Sequence, residues 1–146
     1  MRYPPNYLTC AAFAAALGVC VSAVSADLQV DISQTEQNNG LVYFALYDSP
    51  SAYDQQRMRE GMTSKAGDTP PSAVFTDLPA GEYVVAVFQD ENGNQKLDTN
   101  LMGIPREPYG FSQDAIGAMG PPDFSSAAVT LSVDAFPQVI TIKMRN

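Results

Sequence analysis

Histidine and tryptophan are both missing from the 146 residues. Without imidazole there is no Ser-His or Cys-His nucleophile pair, and the commonest transition-metal ligand and neutral-pH proton carrier is gone. Cysteine is nearly missing as well, since Cys10 and Cys20 are the only two and both lie in an apolar leader. The rest of the chain forms no disulfide and no thiolate metal site, so an ordinary apolar core must hold it together. Positive charge is scarce. All sixteen Asp and Glu but only seven of the eight Lys and Arg fall after Ala26, giving residues 27–146 a net charge of −9. Such a surface repels nucleic-acid phosphates and anionic lipid head groups and favours cations, so no nucleic-acid partner is expected.

Only one long apolar run is present, and it decides the expected compartment. Residues 8–24 are almost all small or apolar, Arg2 precedes them, and Val24-Ser25-Ala26 offers the small-x-small pattern of a signal-peptidase site. Residues 1–26 therefore read as a signal peptide cleaved before Asp27, with the product exported to the periplasm or beyond. The run is short and rich in alanine for a membrane span, which needs about 20 residues, so no stable span is expected. Lipidation at Cys20 is the competing reading, but Val19 stands where a lipoprotein signal wants a small residue. The 120 residues left, 27–146, suffice for one core and one domain.

Within that domain the periodicity is that of strands. Leu28, Val30 and Ile32 alternate with polar neighbours, Asn38-Asn39-Gly40 reads as a turn, and residues 41–47 form a dense aromatic and aliphatic run. The first two strands read as a hairpin. Residues 53–60 suit one short surface helix, and 61–71 are turn-rich. Further strands are expected at 73–76, 82–89, 128–133 and 139–144. Six short strands punctuated by turns predict an all-β fold, a single antiparallel β-sandwich with one short helix and a long ordered loop. That loop is 89–125, which has no sustained period yet holds Leu97, Leu101, Ile104, Tyr109, Phe111, Ile116 and Phe124. Residues so apolar are costly to leave in water, so an ordered excursion with an internal fastener is expected.

The candidate fastener is Asp90-Glu91-Asn92-Gly93-Asn94-Gln95-Lys96-Leu97-Asp98. Oxygens at alternate positions 1, 3 and 5, a main-chain carbonyl at 7 and an oxygen at 9 can wrap one hard cation. Asp90, Asn92, Asn94 and Asp98 fill the side-chain places and Lys96 lends its carbonyl, which predicts calcium as the cofactor. Calcium takes six to eight oxygens, so Asn100 or Glu107 would have to complete the set. Position 6 is Gln95 where a glycine is usual, and a left-handed backbone there costs about 1–2 kcal/mol. The same spacing also serves a metal-free turn closed by Asx hydrogen bonds.

These residues resemble an exported bacterial family catalogued as domain of unknown function 2141. That family runs a strand into His-Asp-Glu-Asn-Gly-Asn-Gly-Lys-Leu-Asp-Thr-Asn and continues through Gly-Ile-Pro-x-Glu, Gly-Phe-Ser and Pro-x-Phe to an alanine. Phe88-Gln89-Asp90 through Asp98-Thr99-Asn100 matches the first part. Gly103-Ile104-Pro105-Arg106-Glu107, Gly110-Phe111-Ser112, Pro122-Asp123-Phe124 and Ala127 match the rest. Gln89 replaces the family's histidine and Gln95 its second loop glycine. The resemblance implies a prealbumin- or immunoglobulin-like sandwich and carries over no activity.

No catalytic residues are expected. Paired carboxylates can cleave glycosides, but sixteen acids create such pairs by chance. The expected function is a non-catalytic binding or interaction module, with a protein or small molecule as partner. An alternative is a periplasmic binding protein for an apolar or carbohydrate ligand, using Tyr109, Phe111, Phe124, Met102 and Met119. Those side chains equally suit a plug beneath the long loop. Arg57, Arg59 and Lys65 read as a solvated face or a small basic spot.

Overall fold

The computed structural model describes residues 25–34, 39–133 and 137–146. The leader expected at 1–26 lies outside them as far as residue 24. The elements are β1 (Ser25–Gln34), β2 (Leu41–Tyr47), α1 (Pro50–Asp54), β3 (Glu60–Lys65), β4 (Ser72–Pro79), β5 (Gly81–Asp90), β6 (Tyr109–Phe111), α2 (Phe124–Ala127), β7 (Val129–Leu131) and β8 (Gln138–Lys143). The fold is mostly β, in two sheets. One has the order β4-β1-β8. The other runs β3-β2-β5, with β6 and β7 both pairing the far edge of β5.

Alternation explains why the sheets share a core. On β2, Val42, Phe44 and Leu46 are buried, while Tyr43, Ala45 and Tyr47 face the other way. On β5 the inward set is Tyr83, Val85 and Val87. Leu28, Val30 and Ile32 of β1, Phe75 and Leu78 of β4 and Ile142 of β8 meet them in one apolar cluster. Burying each large side chain contributes about 1.5–3 kcal/mol, which is how the described residues, none of them cysteine, hold together.

The first sheet differs from the antiparallel expectation. β1 is antiparallel to β4 but parallel to β8, with Val30 opposite Ala73 on one side and Ile140 on the other. The expected hairpin of β1 with β2 does not form either, because the chain crosses between sheets after Gln34. Period-two patterning says which face is buried and nothing about which strand lies alongside. The short helix starts earlier than expected. Ser49 accepts the N–H of Ala52 and Pro50 opens α1, a normal helix entry, whereas residues 60–65, expected as part helix and part turn, form edge strand β3.

Two small helices cover part of the second sheet's outer face. Val84 points outward yet is fully buried, under Phe124 and Ala127 of α2. Tyr53 of α1 joins them by donating its hydroxyl to Pro122 O at 3.0 Å. Burial, with Tyr47, Asp54 and Asp123 adding to it, pushes that hydroxyl up to about 12, so it stays a donor. Ser112, just after β6, is fully buried; its hydroxyl donates to Ala127 O and accepts from Val85 N at 3.0 Å. Ser112→Ala should therefore strand one N–H and one carbonyl and lower stability by about 2 kcal/mol. An unchanged urea midpoint would refute that role. No helix among the described residues is long and apolar enough to cross a membrane.

Candidate functional site

The 90–98 segment leaves the end of β5 and winds back on itself. Asp90 is buried, 2% exposed, and its carboxylate gathers the loop's amides. Gly93 N–H donates to Oδ1 at 2.7 Å, Asn94 N–H to Oδ1 at 3.2 Å and Gln95 N–H to Oδ2 at 2.7 Å. Burial alone raises its pKa, but the N–H groups of Gln95, Gly93, Asn94 and Asn92 outweigh burial and hold the carboxyl below its ordinary value. Asn92 Oδ1 accepts Asn94 N–H at 3.0 Å, and Asn94 Oδ1 accepts Lys96 N–H at 2.8 Å. Gln95 adopts φ 63, the left-handed turn foreseen at position 6, and Gly93 adopts φ 80.

The structure thus brings Asp90, Asn92, Asn94, Lys96 and Asp98 into one coil. The amides of Asn92 and Asn94 both donate to the Asp98 carboxylate, the second at 2.9 Å. A hard cation fits this donor set only if both amides turn oxygen toward Asp98, which gives up their bonds from Asn94 N–H and Lys96 N–H. Among the described residues no three of His, Cys, Asp and Glu cluster as a metal site, so a cation here depends on amide and main-chain oxygens. Neither proposed completing ligand is arranged for that task. Asn100 Oδ1 accepts the N–H of Met102 at 2.8 Å and of Ile104 at 3.1 Å, capping its own turn. Glu107 is buried and spends both oxygens on the loop's two ends, accepting Glu91 N–H and Asp98 N–H at 3.0 Å each. It acts as a clip. Gln89, in the place of the family's histidine, is fully buried and donates to Asn39 O at 2.8 Å.

Beside the loop, the second sheet's outer face carries a slot of about 560 Å³. Strand register builds it row by row. Thr63, Tyr43, Phe88 and Tyr109 lie opposite one another across β3, β2, β5 and β6. The next row is Gly61, Ala45, Ala86 and Phe111. Three small residues therefore floor a trough that Phe111 ends on one side and that Met58, whose sulfur lies over Gly61, narrows on the other. One wall is Tyr43 stacked on Phe88, ring centroids 5.0 Å apart at 8°. Tyr47 stands opposite, and Gln95 and Leu97 reach in from the 90–98 loop. Among the described residues no charged side chain lines the slot.

Of the side chains singled out for ligand binding, Tyr109 and Phe111 line this slot, edge to face with centroids 6.3 Å apart. Phe124 belongs to the buried cluster under α2. Met102 and Met119 stand 83% and 102% exposed and do not line it. Leu101, Ile104 and Ile116 are exposed too, contrary to the expectation that the loop's apolar residues would be covered. Arg59 pairs with Asp48 at 3.1 Å, and Arg57 and Lys65 are exposed. Sequence reasoning missed Tyr43, Tyr47 and Phe88. Their signal was available, because aromatics at 43 and 47 occupy the face of β2 opposite its Val42, Phe44 and Leu46 core face.

A family model described as "Uncharacterized protein conserved in bacteria (DUF2141)" matches residues 30–137, which include the whole loop and every slot strand. No curated protein and no solved structure matches the chain.

Proposed function

From the premise that the chain belongs to this bacterial family, DUF2141, we propose that it is an exported, non-catalytic binding module. Its frame is a prealbumin- or immunoglobulin-like β-sandwich, its ligand surface is the aromatic slot, and its 90–98 loop holds a structural calcium ion. The observation that carries this reading is the sharing of one segment: the coil that gathers Asp90, Asn92, Asn94 and Asp98 also lends Gln95 and Leu97 to the slot wall. A cation bound by those four side chains and the Lys96 carbonyl would supply a fixed positive centre that holds the coil wound. This chain's own residues do the rest: Glu107 clips the coil's ends, and the coil fixes one slot wall. Export rests on Arg2, the 8–24 run and the junction at Ala26.

Calcium titration after chelation tests the metal. An ion bound only by the folded state stabilises it by about 2.7 kcal/mol when free metal exceeds the dissociation constant a hundredfold. Extracellular modules bind calcium at roughly 0.1–1 mM, so the melting temperature should rise between chelator and about 10 mM calcium. Asp98→Ala is the informative variant, because among the described residues the Asp98 side chain accepts the two asparagine amides and no backbone N–H. It should melt close to the chelated wild type and ignore added calcium. Identical wild-type melting curves in chelator and in calcium would leave a metal-free turn.

A further inference from the structure

We infer that the slot takes a single alkyl chain, that of a free fatty acid, with the carboxylate held at the rim by Lys65. The inference rests on the slot reading above and names its ligand. The floor decides the width. Gly61, Ala45 and Ala86 sit side by side on β3, β2 and β5, two inter-strand steps of about 4.8 Å. Tyr43 and Tyr47 rise on either side, four residues or roughly 13 Å apart along β2. With ring bodies filling much of that span, the gap admits one narrow chain laid across the strands.

The lining decides the chemistry. The slot's side-chain polar groups are the tyrosine hydroxyls, Thr63 and the Gln95 amide. A sugar brings several hydroxyls per ring, and each would surrender water with few partners in exchange. Methylene groups surrender nothing, and ring faces with the thioether of Met58 accommodate them. Charge decides the end. The slot's lining is uncharged among the described residues. Outside it, two residues beyond Thr63 on the same face of β3, stands Lys65, exposed and with no side-chain ion pair among the described residues, its own N–H donating to the Asp68 carboxylate at 3.2 Å. An anionic head on an uncharged tail complements that arrangement. A bilayer is the poorer source, because a recess receives one chain and the net charge repels anionic lipid.

The experiment uses the full chain in buffer with calcium and a dansyl-labelled undecanoate as fluorescent probe, displaced by alkanoates of increasing length below their micelle thresholds. Affinity should rise about fourfold per added methylene until the slot is filled, then level off. Ala45→Phe, which fills the floor from the outer face, should abolish probe binding; Ala86→Leu should weaken it at least tenfold. Lys65→Gln should weaken alkanoate roughly threefold, the size of a surface charge pair, and leave the methyl ester unchanged. Leu101→Ser, on a fully exposed side chain, should bind as wild type. Displacement by neutral oligosaccharides and not by alkanoates would overturn the acyl assignment while keeping the slot as a binding site. Probe binding only through added phosphatidylcholine vesicles would overturn the free-acid source. Binding that Ala45→Phe leaves intact, or no binding of any of these probes, would remove the alkyl-chain assignment, and in the second case the slot reading with it.

Discussion

Glu107→Ala is expected to lower the unfolding free energy by about 3 kcal/mol. The carboxylate is 4% exposed and has no described cation partner; its two oxygens accept Glu91 N–H and Asp98 N–H at 3.0 Å each. A hydrogen bond to a charged group contributes about 1.5–3 kcal/mol, and the variant loses two while stranding both donors. Solvent reaching the loop offsets part of the loss. Glu107→Gln keeps one acceptor and the shape, but sets its NH₂ against the other N–H, so about half the effect is expected. Urea unfolding gives the free energies, and hydrogen exchange at the Glu91 and Asp98 amides gives the mechanism. Unprotected amides in an otherwise stable alanine variant would confine the damage to the loop. A wild-type midpoint with both amides still protected would show that Glu107 is no clip.

Gly40→Ala is expected to be at least as damaging, for a steric reason. A Cβ at Gly40 would lie 2.0 Å from Asp90 O and 3.0 Å from its carbonyl carbon, and φ there is 82°. The obstruction is backbone at the root of the loop, where Leu41 pairs with Asp90, so no flexible side chain can yield. A left-handed alanine costs about 1–2 kcal/mol and overpacking about 1–3 kcal/mol, together roughly 3 kcal/mol or more. Gly93→Ala supplies the control. Its φ is 80° but no atom lies within 4 Å of the added carbon, so only the conformational part, about 1 kcal/mol, is expected. Equal melting temperatures for the two variants would mean that β2 and β5 separate at that point without penalty.

Strands with a full apolar face were legible in the sequence. β2, β5 and the inward set of β1 follow from alternation, because each presents three or more large apolar side chains to one core. β3 was not. Its outward residues are Gly61, Thr63 and Lys65 and its inward ones include Ser64, so an edge position erases the pattern that marks a strand. The parallel pairing of β8 with β1 also leaves no local mark. For the site, the spacing of Asp90, Asn92, Asn94 and Asp98 and the strain at Gln95 were readable, since both are consecutive in the chain. Glu107 was noticed for its charge and assigned to a cation, yet its partners are two backbone amides that no sequence displays. The slot was half visible. Tyr109 and Phe111 stood out within the long loop, but the floor of Gly61, Ala45 and Ala86 exists only through the register of three strands.

The adjacency of β1 and β8 sets an order of events for a folding chain. Val30 finds Ile140 more than a hundred residues away, whereas β2, β3 and β5 meet partners over much shorter loops. Closing a long loop precedes any reward from the contacts it permits, so high contact order slows the step that contains it. The β2-β3-β5 sheet, with the slot floor, needs no such closure, and neither does the β1-β4 pair. Sheet β4-β1-β8 closes only once the last strand is present, and Arg145 then ties back to Tyr109 through paired N–H and carbonyl bonds of 2.8 Å. A chain still growing, or clipped before residue 138, holds one flank of β1 unpaired and Leu28, Val30 and Ile32 without Ile142 to cover them. The interval before the final strand arrives is this protein's window for mispairing with another chain.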